Sequence, residues 1–282
     1  MDVAAPSRFS VVSSEFRKLA AFVRRDLLEM LSYRLALVSD WLSMIGQVVV
    51  FYFVGRMVSP DTIAAYGGSR VSYIEYVSVG IALTSVLEVG LGKVVSAVRQ
   101  EQLYGTLEAL LASPTASTTT QLGLAAYDML YVPFRMTIFL VLVSLLFGAH
   151  FTWTGLGPAG FILLAFGPLV WGLGVVSAAG VLTFRKGTLV IGFAGFAFAV
   201  ASGIYFPVGV LPTWLQPFAE ANPITIALDG MRAALLGTAG YRDVLPEFAT
   251  LVPLAIVSVV VGIAAFRAAL RRERRLGTLG LY

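Results

Sequence analysis

Six apolar runs, separated by short polar or charged stretches, organise this chain: Leu35 to Val58, Val71 to Val94, Ala116 to Phe147, Pro158 to Phe184, Leu189 to Val210 and Phe248 to Ala269. Each is long enough to cross a hydrocarbon layer, which takes about 20 helical residues. The pattern predicts an all-α integral membrane fold with six transmembrane helices. Ahead of them, Ser14 to Arg34 places Phe16, Leu19, Ala20, Val23, Leu27, Met30 and Leu31 on one side, with Arg17, Lys18, Arg24, Arg25 and Glu29 elsewhere. That is an amphipathic helix lying along a membrane surface. The stretch 206–236 breaks the pattern: Pro207, Pro212, Pro217 and Pro223 exclude a simple span, yet the segment is too apolar for a solvated loop. Irregular backbone at membrane depth requires cover by protein or a wet cavity. We therefore expect an external re-entrant helical hairpin before the last span, its second helix starting near Pro223 behind Asn222. The organisation reads as an interfacial helix at 1–34, a six-span domain at 35–270 and a basic tail at 271–282.

Composition agrees with a polytopic membrane protein. Of 282 residues, 58% are hydrophobic and 13% charged, against about a quarter charged in soluble domains, and the mean hydropathy is +0.85. Cysteine is absent and His150 is the single histidine, which argues against thiolate chemistry, disulfides and metal catalysis. The formal charge of +4 does not point to nucleic acid, because the basic residues flank apolar spans. Arg17, Lys18, Arg24, Arg25, Lys93, Arg99, Arg185, Lys186 and the run from Arg267 to Arg275 fall on the side holding both termini, and Arg56, Arg70, Arg232 and Arg242 fall opposite. By the positive-inside rule, both termini are expected in the cytoplasm. No short apolar core with a small-residue cleavage site precedes the charged stretch Glu15 to Arg34, so the chain is expected to insert through its first span.

Ionisable groups inside spans are costly and invite a functional reading. Glu88 lies toward the cytoplasmic end of the second run. Asp128 and Arg135 lie in the third, about 10 Å apart along the axis. That separation is too large for direct contact, so Arg135 is expected to pair with an acid on a neighbouring helix, Glu88 or Glu75. Small polar and aromatic residues in the first, second and fifth runs include Gln47, Tyr52, Tyr73, Tyr76, Ser78, Thr84, Ser85, Ser202 and Tyr205. Tyrosines near span ends commonly serve as interfacial anchors. Gly167, Gly172, Gly174, Gly192 and Gly195 read as close helix-packing positions. No G-x-x-x-x-G-K-[ST] phosphate loop is present: Gly90-Leu-Gly-Lys93 is followed by Val94, which lacks the metal-binding hydroxyl.

The one strongly patterned polar stretch is 99–114. Leu103, Leu107, Leu110 and Leu111 share a helical face, and Glu101 and Glu108 share another. Gly105 ends one helix, Thr106 caps the next and Pro114 stops it. The phrase E-x-x-x-GTLE-x-LL-x-SP resembles the cytoplasmic loop of permease subunits of the second-class ATP-binding-cassette (ABC) exporters, which move drugs, lipids and polysaccharides. A second stretch agrees: Tyr205-Phe-Pro-Val-Gly-Val-Leu-Pro-Thr-Trp-Leu-Gln-Pro-Phe218, then Ala221-Asn-Pro-Ile-Thr225 and Asp229-Gly-Met-Arg232, resembles the family's external element before the last span.

The resemblance implies a permease that exports an amphipathic or hydrophobic substrate by alternating access. It also implies two copies of a separate ATPase carrying ATP and Mg, since this chain offers no cofactor site of its own. A second permease copy, more simply an identical one, completes the assembly in the plasma membrane of a prokaryote. Glu101, Gly105, Thr106, Leu107, Glu108, Leu110 and Leu111 would then couple to the ATPase. Gln47, Tyr52, Ser85, Ser202 and Tyr205 would border the substrate pathway, with Pro207, Pro212, Trp214 and Pro223 forming a re-entrant gate. Two other readings remain at this point. An ion-coupled secondary transporter would use Glu88, Asp128 and Arg135 but leaves the GTLE loop unexplained. A polytopic lipid-modifying enzyme would need a cluster of His, Asp or Glu that the dispersed acids do not supply.

Overall fold

The computed structural model describes residue 17 and residues 20–28, 31–57, 71–93, 95–96, 117–184 and 197–276. Among these, every regular element is helical. Residues 20–28 and 31–32 are helical, and Tyr33 breaks the chain before α1 (Arg34–Gly55). Then follow α2 (Tyr73–Leu87), which continues as a π-helical stretch Glu88–Lys93, α3 (Ser117–Phe147), α4 (Leu156–Phe184), the short α5 (Gln216–Glu220), α6 (Pro223–Leu236) and α7 (Leu245–Leu276).

Local chemistry sets several of these boundaries. Ser72 opens α2 with a capping box: its hydroxyl accepts from the Glu75 amide at 3.4 Å, and Glu75 Oε2 accepts from the Ser72 amide at 2.8 Å, so two orphan donors are satisfied reciprocally. Asn222 caps α6 by accepting from the Ile224 amide at 3.0 Å, with Pro223 at the first helical position, where its missing N–H is not needed. Here the structure matches the expected start of the second short helix.

Four described stretches are long and apolar enough to cross a membrane: Tyr73–Gly92, Met129–Phe147, Trp153–Val181 and Leu245–Arg272. In α1 the apolar part is shorter, Trp41–Gly55, because Ser39 and Asp40 interrupt it. The fifth run does not remain helical to Val210. Its described part is helical over 197–201 and ends at Ser202, where Gly203 turns the chain with φ of +79°, a conformation glycine adopts without a Cβ penalty.

Side chains from α1, α2, α3, α4, α6 and α7 share one apolar cluster, and a second lies between α4 and α7 around Trp171, Val175 and Phe266. The α4–α7 pair is the most extensive. Gly172 permits it, since a Cβ there would meet Ser258 Oγ at 2.5 Å, and Ser258 donates to the Leu169 carbonyl at 2.8 Å. Small residues at crossings and hydroxyls that bond across helices are how apolar helices associate without a hydrophobic driving force. Away from its partners, α7 leaves Ile256, Val257, Val260 and Val261 exposed, as a lipid-facing surface requires.

Candidate functional site

Where the fifth run breaks, its carbonyls lose their helical partners, and buried carbonyls left unpaired are expensive. Side chains from two other helices supply the donors. Thr225 Oγ1 donates to the Ser202 carbonyl at 3.0 Å. Tyr76 Oη and Arg232 Nη2 both donate to Gly203, each at 2.9 Å. Arg232 Nη2 also donates to Ile204 at 3.2 Å and to the Tyr76 carbonyl at 3.3 Å, and Tyr73 Oη donates to Tyr205 at 3.0 Å. Four successive carbonyls are thus met by α2 and α6. Asn222 Nδ2 extends the seam by donating to Phe198 at 3.0 Å.

Arg232 is the centre of this clamp. It is 1% exposed, and its guanidinium carbon lies 3.5 Å from the centroid of the Tyr76 ring, a cation–π contact strengthened by desolvation. A planar guanidinium stacks on a ring while its edge donates to carbonyls, which an ammonium does less well. Gly80 completes the fit: a Cβ there would collide with the Ile204 carbonyl. Beyond the clamp, Pro207 precedes a short 3₁₀ turn at Val208–Val210. Gln216 Nε2 then ties the loop to α5 by donating to the Leu211 carbonyl at 2.8 Å. Pro212 and Trp214 sit on its exposed side.

Tyr205 also stacks on Phe51 of α1, centroids 5.2 Å apart and planes inclined by 15°, and the neighbouring Tyr52 packs on Phe147 at 5.1 Å. The broken helix is therefore gripped by α2 and α6 and flanked by the aromatic end of α1. A model of the ABC-2 type transporter family matches residues 17–236, an interval that contains all of these groups. The chain belongs to the ABC-2 type transporter family. No curated protein matches it at a significant level. As an ABC-2 permease subunit, the chain is a multi-pass membrane component of an ABC transporter, and its family implies partnership with an ABC ATPase subunit.

The residues singled out in the sequence of this permease fall in different places. Tyr205 and Tyr52 belong to the aromatic junctions just described, and Gln47 is exposed two turns or less from them on α1. Ser85 and Ser202 are buried, and Ser202 Oγ bonds back to the Ala199 carbonyl at 2.6 Å. Tyr76 is buried beneath Arg232 instead of anchoring an interface. Arg135 does approach Glu88, Nη1 to Oε2 at 3.9 Å, which is the first of the two expected partners. The second, Glu75, is occupied elsewhere: it caps α2 and accepts from the His150 amide at 2.8 Å. The side chain of Asp128 and the whole set Glu101, Gly105, Thr106, Leu107, Glu108, Leu110 and Leu111 lie outside the described residues, as do Gly192 and Gly195.

Of the glycines, Gly172 and Gly174 pack closely, the latter against the Gly90 carbonyl, whereas a Cβ at Gly167 would meet no described atom within 4 Å. The clamp itself was not read from the sequence. Its one signal there was Arg232, a cation inside the apolar stretch Ile224 to Leu236; counting it as an outward loop charge concealed its partners.

Proposed function

We propose that the chain is the membrane subunit of an ATP-driven exporter for an amphipathic or hydrophobic substrate, working as a homodimer with two ATPase subunits in a prokaryotic plasma membrane. The observation that carries this reading is the clamp at the broken fifth helix. It supports a rigid unit of α2, α6 and residues 202–205, through which a tilt of α2 is passed to the loop at 206–222. The proposed topology has six spans, with α1 and the run 189–210 as the first and fifth, cytoplasmic termini, and the segment 206–236 dipping into the outer half of the bilayer. Pro207, Pro212, Trp214 and Pro223 belong to the gate, and Gln47, Tyr52 and Tyr205 border the pathway.

Energy enters through the loop 99–114, where Leu107, Leu110 and Leu111 dock on the ATPase and Glu101 and Glu108 rim the contact. ATP and Mg sit on that partner. Nucleotide states drive transport only insofar as they favour different membrane conformations. The test is to purify the tagged chain from its native membrane and measure what accompanies it. An ATPase in equal amount, whose turnover responds to the permease once both are reconstituted, is the expected result. ATP hydrolysis by the isolated chain, or substrate movement driven by an ion gradient without any ATPase, overturns the reading.

A further inference from the structure

A cavity of about 540 Å³ lies between the π-helical end of α2, α3 and α4. That volume falls within the range of ligand pockets, about 300–1,000 Å³. None of the pathway residues lines it. Its long wall is one face of α4, where Gly160, Leu164, Gly167 and Trp171 recur at helical spacing, and Tyr241 stands at the end nearer Gly157. Neither Gly160 nor Gly167 has a described atom within 4 Å of where a Cβ would stand, so these glycines make room instead of admitting a neighbouring helix. From Gly157 to Trp171 the wall runs about 21 Å. So small a volume over such a length has the form of a chain, not of a compact ring system.

One further observation says what fits. Leu164, on the cavity wall, is 71% exposed, so the mouth opens on an apolar surface that belongs to a candidate span. The medium meeting that mouth is hydrocarbon, and water does not fill an apolar cavity. At the far end, the buried ring of Trp171 closes the cavity.

We propose that this cavity holds one acyl chain of a membrane phospholipid, lying along α4 between Trp171 and Tyr241. The site requires only that α4 spans the membrane, and stands whether or not the transport reading does.

The experiment uses the intact chain in nanodiscs, with Trp41, Trp153 and Trp214 replaced by Phe so that Trp171 alone emits. The probe is phosphatidylcholine brominated either near the ester or near the methyl end, compared with unbrominated lipid. Because lipid is the solvent, occupancy approaches saturation, and Trp171 is expected to lose more than about half its emission with at least one of the two brominated lipids, the stronger quencher reporting which part of the chain lies beside it. Gly167→Leu, which fills the cavity, restores the emission; Gly160→Leu is a second filling variant if the first does not fold. A chain retaining only Trp153, which is 44% exposed, is quenched in every case and verifies the probe. Trp171 emission unaffected by bromine while Trp153 is quenched overturns the proposal, as does quenching that persists in both filled variants.

Discussion

Replacing Arg232 by Met tests the clamp most directly, because the length and apolar stem are kept while the donors and the charge are removed. Three effects set the magnitude. The Ile204 carbonyl loses its Arg232 donor, and an orphaned buried acceptor costs about 1–3 kcal/mol. The cation–π contact with Tyr76 is worth about 2 kcal/mol when desolvated. Against these losses of about 3–5 kcal/mol together, Met relieves only the part of the guanidinium's burial cost that its carbonyl and ring contacts leave uncompensated, while Gly203 retains the Tyr76 hydroxyl.

A net loss of about 2–3 kcal/mol follows, and it is local, since the apolar packing of α6 stays in place. At 1.4 kcal/mol per tenfold, amide exchange at 202–206 should accelerate roughly 30- to 100-fold when opening is local, with the α4–α7 pair unchanged. Tyr76→Phe keeps the ring and removes one neutral donor, a loss of about 1 kcal/mol and roughly fivefold faster exchange. Hydrogen exchange read by mass spectrometry on nanodisc-embedded protein measures all three. Parental exchange in Arg232→Met, or equal effects of the two variants, would refute the reasoning.

Gly80→Ala should destabilise by about 1–3 kcal/mol, because the new methyl must displace the Ile204 carbonyl; Gly46→Ala, with no described atom near its Cβ, should be neutral or gain up to about 1 kcal/mol, as thermal denaturation in detergent will report. For topology, the absence of native cysteine permits single-Cys labelling with an impermeant reagent on intact cells. Thr154→Cys is the outer probe, since Gly155 is buried against the Ala234 carbonyl; it should label, Ser117→Cys should not, and equal labelling rejects the proposed orientation. Glu108→Lys should weaken ATPase retention or abolish stimulated hydrolysis while leaving expression and thermal stability near parental, because the favourable charge at a helix start is worth only about 0.3–1 kcal/mol; normal export by this variant removes Glu108 from the coupling surface.

The chain's own pattern determined the helices. Runs of apolar residues define α2, α3 and α4 within a few residues, since helix length in a membrane is dictated by its thickness and by where charges interrupt; α7 continues seven residues past its run, through the basic stretch to Leu276. Capping chemistry is equally local: Ser72 with Glu75, and Asn222 with Pro223, act within one turn, so their effect is readable from adjacent letters. That Arg135 pairs with one of two acids, Glu88 or Glu75, was legible for a related reason, and the structure selects Glu88. A cation in a span must find an acid at matching depth, and few acids qualify.

Tertiary structure decided which groups meet across long separations. Tyr73, Tyr76, Thr225 and Arg232 look like span-end anchors, a helix residue and a loop charge until the fifth helix breaks at Gly203 and presents four carbonyls in need of donors. That break depends on a positive φ, which twenty-eight glycines make impossible to locate by composition. The same holds for the small residues of α4. Gly167, Gly172 and Gly174 are alike in the sequence, and only the positions of α2 and α7 make the last two into contacts and leave the first facing open space. Lengths and caps are properties of a few neighbouring residues; donors, cavities and crossings are properties of distant segments brought to the same depth.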